Sequence, residues 1–271
     1  MNWHELGMES AVTSYTVALI MEGIGYCLRK LGRPEKLHLI AQGSLALGFG
    51  LTTLVLLERG ALAQRVPGIN FYESLILLSG CVVLMYWIFC HRLGSSLLRA
   101  GTTVVAMIAL AYALWLDNRI IPLLPIFQSG WLNLHVPLCF LSYGAFTLSA
   151  MTSLVYLLRH GSGSSELIVL QSLDKAAHQL IRVGFLLLTG GLVTGVIWAN
   201  QAWGNFWRYD PKENGSLTTW IVYLIYLEVR RLKQWSGVRT AWISMVGFLC
   251  VAVNFWVVSF WLTGLHRYLG E

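Results

Sequence analysis

Trp203-Gly204-Asn205-Phe206-Trp207-Arg208-Tyr209-Asp210-Pro211-Lys212-Glu213-Asn214-Gly215-Ser216-Leu217 lies between two long apolar stretches, and its reading decides the architecture. Aromatic rings at 203, 206 and 207 recur at i, i+3 and i+4, the spacing of one helix face. The spacing predicts an amphipathic, aromatic platform. A second helix start follows at once. Asp210 is placed as an N-cap, Pro211 stands at the first helical position, and Glu213 comes three residues after the cap. A rigid platform of this kind suits a flat, apolar ligand with polar edges.

The flanks set the surroundings of that segment. The chain is 56% hydrophobic and 12% charged, with a mean hydropathy of +0.62. Soluble domains carry about 25% charged residues. A helix that spans a membrane needs about 20 apolar residues. Eight stretches approach that length: 11–31, 37–57, 71–90, 96–116, 131–158, 180–199, 217–229 with its flanks, and 240–263. The alternating ten-residue pattern of a membrane barrel is missing from the sequence. The expected fold is all-α: a polytopic membrane protein of about eight transmembrane helices. Residues 1–271 read as one integral membrane domain, with 198–220 as an external Trp-rich segment. Glu5 and Glu9 precede the first apolar run, which does not read as a cleavable signal peptide.

Loop charge predicts orientation. One set of loops holds Arg29, Lys30, Arg33, Lys36, Arg92, Arg99, Arg159, Lys175, Arg182, Arg230, Arg231, Lys233 and Arg239. The other holds Arg59, Arg65, Arg119, Arg208, Lys212 and Arg267. The richer set belongs in the cytoplasm. Both termini and the Trp-rich segment then face outward. The net charge of +6 follows from this bias and calls for no nucleic acid.

Between the spans, the linker His160–His178 begins Gly-Ser-Gly-Ser-Ser and reads as flexible, leading into a short amphipathic stretch. Gly191 and Gly195 have the small-xxx-small spacing that lets another helix pack closely. The five cysteines lie in or beside apolar spans without a Cys-x-x-Cys pair, and read as buried small residues. Glu22 lies within the first span, where a charge is functional or paired. Glu73 opens the third span and is placed to bond loop backbone. Glu228 reads as a solvated helix-end residue. No phosphate-binding Gly-x-x-x-x-Gly-Lys loop, Gly-x-Ser-x-Gly elbow or His-Glu-x-x-His motif occurs.

Of seven histidines, His4, His135 and His266 fall on the outer side. His135 starts the fifth span and His266 follows the eighth, so both reach the level of the Trp-rich segment. Read singly, each is an interfacial histidine bonded to water or backbone. Read with the aromatic platform between them, they are candidate axial ligands of haem iron. Trp198, Trp203, Trp207 and Trp220 crowd one side beyond what an interfacial belt requires. Asp210 and Glu213 read first as a capping box, while Arg208 and Lys212 beside them could pair with haem propionates.

The run Trp198-Ala-Asn-Gln-Ala-Trp203-Gly-Asn-Phe206-Trp207-Arg-Tyr-Asp210-Pro-Lys-Glu213 resembles the tryptophan-rich WWD signature of haem-handling proteins. Within that superfamily the chain is most similar to the CcsA/ResC family of System II cytochrome c biogenesis. Gly68-Ile-Asn70-Phe-Tyr72-Glu73-Ser74 resembles the family's entry to its third span, and the likeness covers about residues 60–268. The resemblance implies non-covalent haem b, held at the external face by Trp198, Trp203, Phe206, Trp207, Asp210, Glu213 and Trp220. It implies His135 and His266 as iron ligands and no catalytic acid or base. The implied partners are a CcsB/ResB-like membrane protein, an apocytochrome c with a Cys-x-x-Cys-His motif and thiol-reducing proteins; together they would form a cytochrome c haem-lyase. The implied site is the plasma (inner) membrane, or the thylakoid membrane in a plastid or cyanobacterium. The alternative is a HemX-like haem-binding regulatory or scaffold protein without ligase activity. One departure stands out: the family usually has a histidine near the inner end of span seven, where this chain has Glu228.

Overall fold

A computed structural model describes residues 3–28, 35–120, 127–162, 167–232 and 235–257. Among them are eight α-helices: α1 Trp3–Cys27, α2 Glu35–Ala63, α3 Phe71–Met85, α4 Ser96–Ala113, α5 Gly130–Gly161, α6 Leu167–Trp203, α7 Pro211–Arg231 and α8 Val238–Ala252. This is an all-helical polytopic membrane protein. Six helices are long and apolar enough to cross a membrane: α2, α4, α5, α6, α3 with its continuation to Leu93, and α8 with its continuation to Trp256. The continuations begin with single π-helical turns, Tyr86–Cys90 after α3 and Val253–Val257 after α8. Helices α1 and α7 are more polar. α1 holds Glu5, Glu9 and Glu22 among serines and threonines, and α7 opens Pro-Lys-Glu-Asn-Gly-Ser.

Side-chain caps start the helices where the sequence supplies short polar residues. Asn70 Oδ1 accepts from the Glu73 N–H (2.8 Å) to start α3, and Ser129 Oγ from the Trp131 N–H (3.3 Å) to start α5. These bonds satisfy donors that have no carbonyl partner in a first turn. Helix α5 runs on through Pro137.

The helices form two compact units, Met1–Pro122 and Leu123–Glu271. In the first, α1 packs on α2 and α4, and α3 packs on the same two, closing a four-helix ring. Its apolar interior encloses charge. Glu22 is 3% exposed and pairs with Arg99 of α4, itself 2% exposed. His38 of α2 joins them, with Nδ1 3.6 Å from Glu22 and 3.2 Å from Arg99 Nη2. A lone charge in an apolar interior costs several kcal/mol, so this pairing is what makes Glu22 tolerable there. Glu73, fully buried, accepts from the Gly68 and Ile69 backbone N–H groups (2.9 and 3.1 Å) as expected. It also gathers Arg59 (2.8 Å) and Arg65 (2.6 Å) from the chain before it.

The second unit closes in the same way, with α5 and α7 each packed on α6 and α8. Helices α5 and α6 are antiparallel neighbours. Their register sets Ser129 against Gln201 (3.2 Å) and brings Gly184 against Phe146, Gly191 against Cys139 and Gly195 against His135. Helix α6 is longer than the sequence suggests. The stretch from Leu167, expected to be separate from the sixth span, is its first three turns. Asp174 in those turns is tied to Arg230 of α7 and to the Gly237 N–H before α8 (3.3 Å). Cys81 and Cys90 are buried, Cys139 and Cys250 are half-buried, and Cys27 is exposed at the end of α1.

Candidate functional site

The Trp-rich segment is not one helix. Helix α6 ends at Trp203, and residues 204–210 form no regular structure. Gly204 has φ +72°, and its N–H bonds the Asn200 carbonyl (2.9 Å). This is the left-handed stop that glycine supplies at a helix C-terminus. Trp203, Phe206 and Trp207 therefore share no helix face, and the expectation from their spacing is corrected. The glycine inside the aromatic run outweighs the periodicity around it.

The link that follows is held by its own polar groups. The Glu213 carboxylate accepts the N–H groups of Arg208 (2.9 Å) and Asp210 (3.3 Å). Asp210 Oδ1 accepts from the Lys212 N–H (2.9 Å), completing a capping box with Pro211 at its start. Asn214 Nδ2 donates to the Tyr209 carbonyl (3.0 Å), which steadies Tyr209 at φ +58°. Asn254, on the π-helical turn after α8, donates to Ser216 Oγ (2.9 Å) and anchors the first turns of α7. The capping roles of Asp210 and Glu213 are thus as the sequence suggests.

Aromatic rings meet at the C-terminal end of α6. Trp198 is buried, stacked on Phe127 (6.1 Å between centroids) and edge-on to Trp203 (6.2 Å). The Arg208 guanidinium lies 6.0 Å over the Trp203 ring. Trp203 and Trp207 are half-buried, and Phe206 is exposed. Trp220 is placed apart from this group. It stacks on Phe185 (5.2 Å), and its indole N–H donates to Thr189 Oγ1 (2.9 Å), both on α6.

Beside Trp198 opens a cavity of about 560 Å³ between the start of α5 and the end of α6, lined by Gln128, Trp131, Leu134, Trp198, Gln201 and Ala202 among others. Small-molecule sites span about 300–1,000 Å³, with mostly apolar walls and a few polar groups. This one matches in size, but its wall is mixed, two tryptophan rings beside two glutamine amides, and it is open to the surface. Of the residues expected at the site, only Trp198 lines this cavity. Phe127, Trp131 and Gln201 escape sequence reasoning because they depend on the α5/α6 register.

His135 stands on α5 next to Leu134. Its Nδ1 lies 2.7 Å from the Gly191 carbonyl oxygen of α6. A carbonyl accepts only, so Nδ1 carries the proton and Nε2 keeps its lone pair. The polar neighbour of Nε2 is the Cys139 thiol at 3.8 Å, a weak partner. Nδ1–H held on a carbonyl, with only a weak thiol contact at Nε2, is the arrangement in which a histidine can ligate a metal ion through Nε2. His266, the other expected ligand, lies outside the described residues. Among the described residues no group of three or more His, Cys, Asp or Glu side chains is placed to hold a metal ion alone. Glu228 is exposed and pairs with Arg231 (3.1 Å) one turn on, as expected of a solvated helix end.

Comparison with known proteins adds independent findings. Residues 69–266 match the family described as Cytochrome C assembly protein. The chain is similar to a cytochrome c biogenesis protein CcsA of Chlamydomonas reinhardtii, with 34% identity over 80% of this chain and 65% of the relative. A CcsA of Guillardia theta is 29% identical over 93% of this chain and 92% of its own. A CcsA of Synechococcus sp. (strain RCC307) is 34% identical over 80% and 81%.

Proposed function

The chain belongs to the Cytochrome C assembly protein family, and from that premise we propose that it binds haem b without covalent attachment and presents it at the external membrane face. His135 and His266 would hold the haem iron, each through an imidazole nitrogen. Trp198, Trp203, Phe206 and Trp207 supply apolar surface for the porphyrin. Arg208 and Lys212 supply positive charge for the propionates, while Asp210 and Glu213 fix the backbone that carries them. Trp220 holds α7 to α6 through Thr189 and Phe185, away from the other rings.

One observation carries this reading: His135 is bonded through Nδ1 to a main-chain carbonyl and so offers Nε2. The cavity flanked by Trp131 and Trp198 lies at the same end of α5 and α6, with Leu134 rather than His135 in its wall. The protein contributes orientation and shielding in place of an acid or base. A CcsB/ResB-like partner and an apocytochrome c with a Cys-x-x-Cys-His motif complete the haem-lyase. There each cysteine S–H adds across a haem vinyl group. A C–S bond forms, the thiol hydrogen passes to carbon, and no oxidant is consumed. Thiol-reducing proteins keep those cysteines available. Glu228, exposed and paired with Arg231, does not replace the histidine that the family usually carries at that position.

Expression with a CcsB/ResB-like protein, in cells that lack their own cytochrome c maturation system, tests the proposal. Covalent haem on a reporter cytochrome c is expected only when both proteins are present. If the chain retains haem yet attaches none with any such partner, the HemX-like alternative replaces this reading.

A further inference from the structure

Helices α5 and α6 meet through glycine where His135 sits. A Cβ at Gly195 would lie 2.7 Å from both Cε1 and Nδ1 of the His135 ring, closer than real Cβ contacts come. One turn earlier a Cβ at Gly191 would lie 2.8 Å from Cys139 Sγ. With neither methyl group present, the imidazole lies directly on the α6 backbone, and Nδ1 reaches the Gly191 carbonyl at 2.7 Å. The Thr194 hydroxyl sits between that oxygen (3.0 Å) and the nearer Gly190 carbonyl (2.8 Å), both on α6.

We infer that Gly195 is a positioning residue for His135: it leaves the room in which the ring settles on the Gly191 carbonyl with Nε2 as the electron-pair donor. The inference rests on the haem reading above and adds a tautomer and orientation lock to it. The chemistry follows from the hydrogen bond. A carbonyl that holds Nδ1–H makes Nε2 a stronger donor, and loss of such a partner lowers metal affinity by about 10- to 100-fold. A methyl group at 195 forces the ring to turn, which breaks the bond to Gly191.

The test uses the full chain in detergent with added haem. Gly195→Ala is expected to weaken haem binding by about 10- to 100-fold and to move the visible and resonance Raman spectrum toward a weaker axial field. His135→Ala is the second background. There, measured before any imidazole is added, the ring is gone and a methyl group at 195 no longer meets it, so adding Gly195→Ala should change the residual affinity by no more than about twofold. An undiminished effect of Gly195→Ala in that background makes Gly195 a packing residue and overturns the inference. Wild-type affinity and spectrum in the single variant overturn it as well. Nitrogen NMR of the haem-free wild type reads the lock without any substitution: His135 protonated at Nδ1 is expected, and protonation at Nε2 contradicts the inference. If His135→Ala binds haem with an unchanged spectrum, the haem reading itself falls, an outcome distinct from failure of Gly195 alone.

Discussion

At the scale of the residue, the tryptophans of this segment differ in what they touch, and the proposed haem site assigns them different roles. Trp203 lies edge-on to Trp198 beneath Arg208, whereas Trp220 is bound to Thr189 and Phe185. Aromatic pairs contribute about 0.5–1.5 kcal/mol beyond their area. Trp203→Ala is therefore expected to lower haem per protein severalfold in matched preparations, with helix content unchanged. Trp220→Ala should instead lower the unfolding temperature and spare haem affinity. Trp115→Ala, at a ring 88% exposed in the other unit, should do neither. Haem loss in Trp115→Ala with retention in Trp203→Ala would place the platform elsewhere. The buried Glu22–Arg99 pair gives a second prediction. Arg99→Met leaves the buried Glu22 carboxylate with His38 alone beside it and should cost about 3–5 kcal/mol. Arg99→Met with Glu22→Met should recover most of that loss. Thermal unfolding in detergent reads both, and a double variant no more stable than Arg99→Met would show that the pair is not the cause.

At the scale of the element, the seven residues between α6 and α7 behave as a capped linker. Asp210→Ala removes a cap worth about 0.5–2 kcal/mol. The expected result is faster backbone amide exchange over 207–214, with the haem spectrum altered more than its occupancy. Unchanged exchange there would mean that Glu213 alone holds the linker. How legible this was depends on the kind of signal. Asp210, Pro211 and Glu213 were readable because capping chemistry is local to a few residues. Glu73 was readable for its backbone bonds, but Arg59 and Arg65 were not, since their approach depends on how the preceding chain folds. The aromatic spacing at 203, 206 and 207 misleads, because periodicity counts residues and ignores the backbone stop that Gly204 supplies. Gly191 and Gly195 could be read as a close-packing surface. That the surface receives His135 emerges only from the antiparallel register of α5 and α6.

At the scale of the whole molecule, membrane class follows from composition, because a chain with 12% charge cannot cover its long apolar stretches in water; of the eight spans expected, six helices among the described residues are long and apolar enough to cross, α1 and α7 being more polar. Orientation rests on the uneven spread of Lys and Arg between the two sets of loops. Reporter fusions after Gly161 and Lys233 are expected to read cytoplasmic, and one after Asn214 external. A cytoplasmic reading at Asn214 would remove the basis for external haem presentation. The division into two helical rings places Trp198, Trp203, the capped linker and His135 within one of them, Leu123–Glu271. The central claim is that this unit holds haem through His135. It is tested most directly by the visible spectrum and haem content of the purified protein beside those of His135→Ala, with and without added imidazole. A six-coordinate haem spectrum is expected in the wild type, with a changed spectrum and reduced haem in His135→Ala and partial return on adding imidazole. Equal haem content and identical spectra in the two proteins would contradict it.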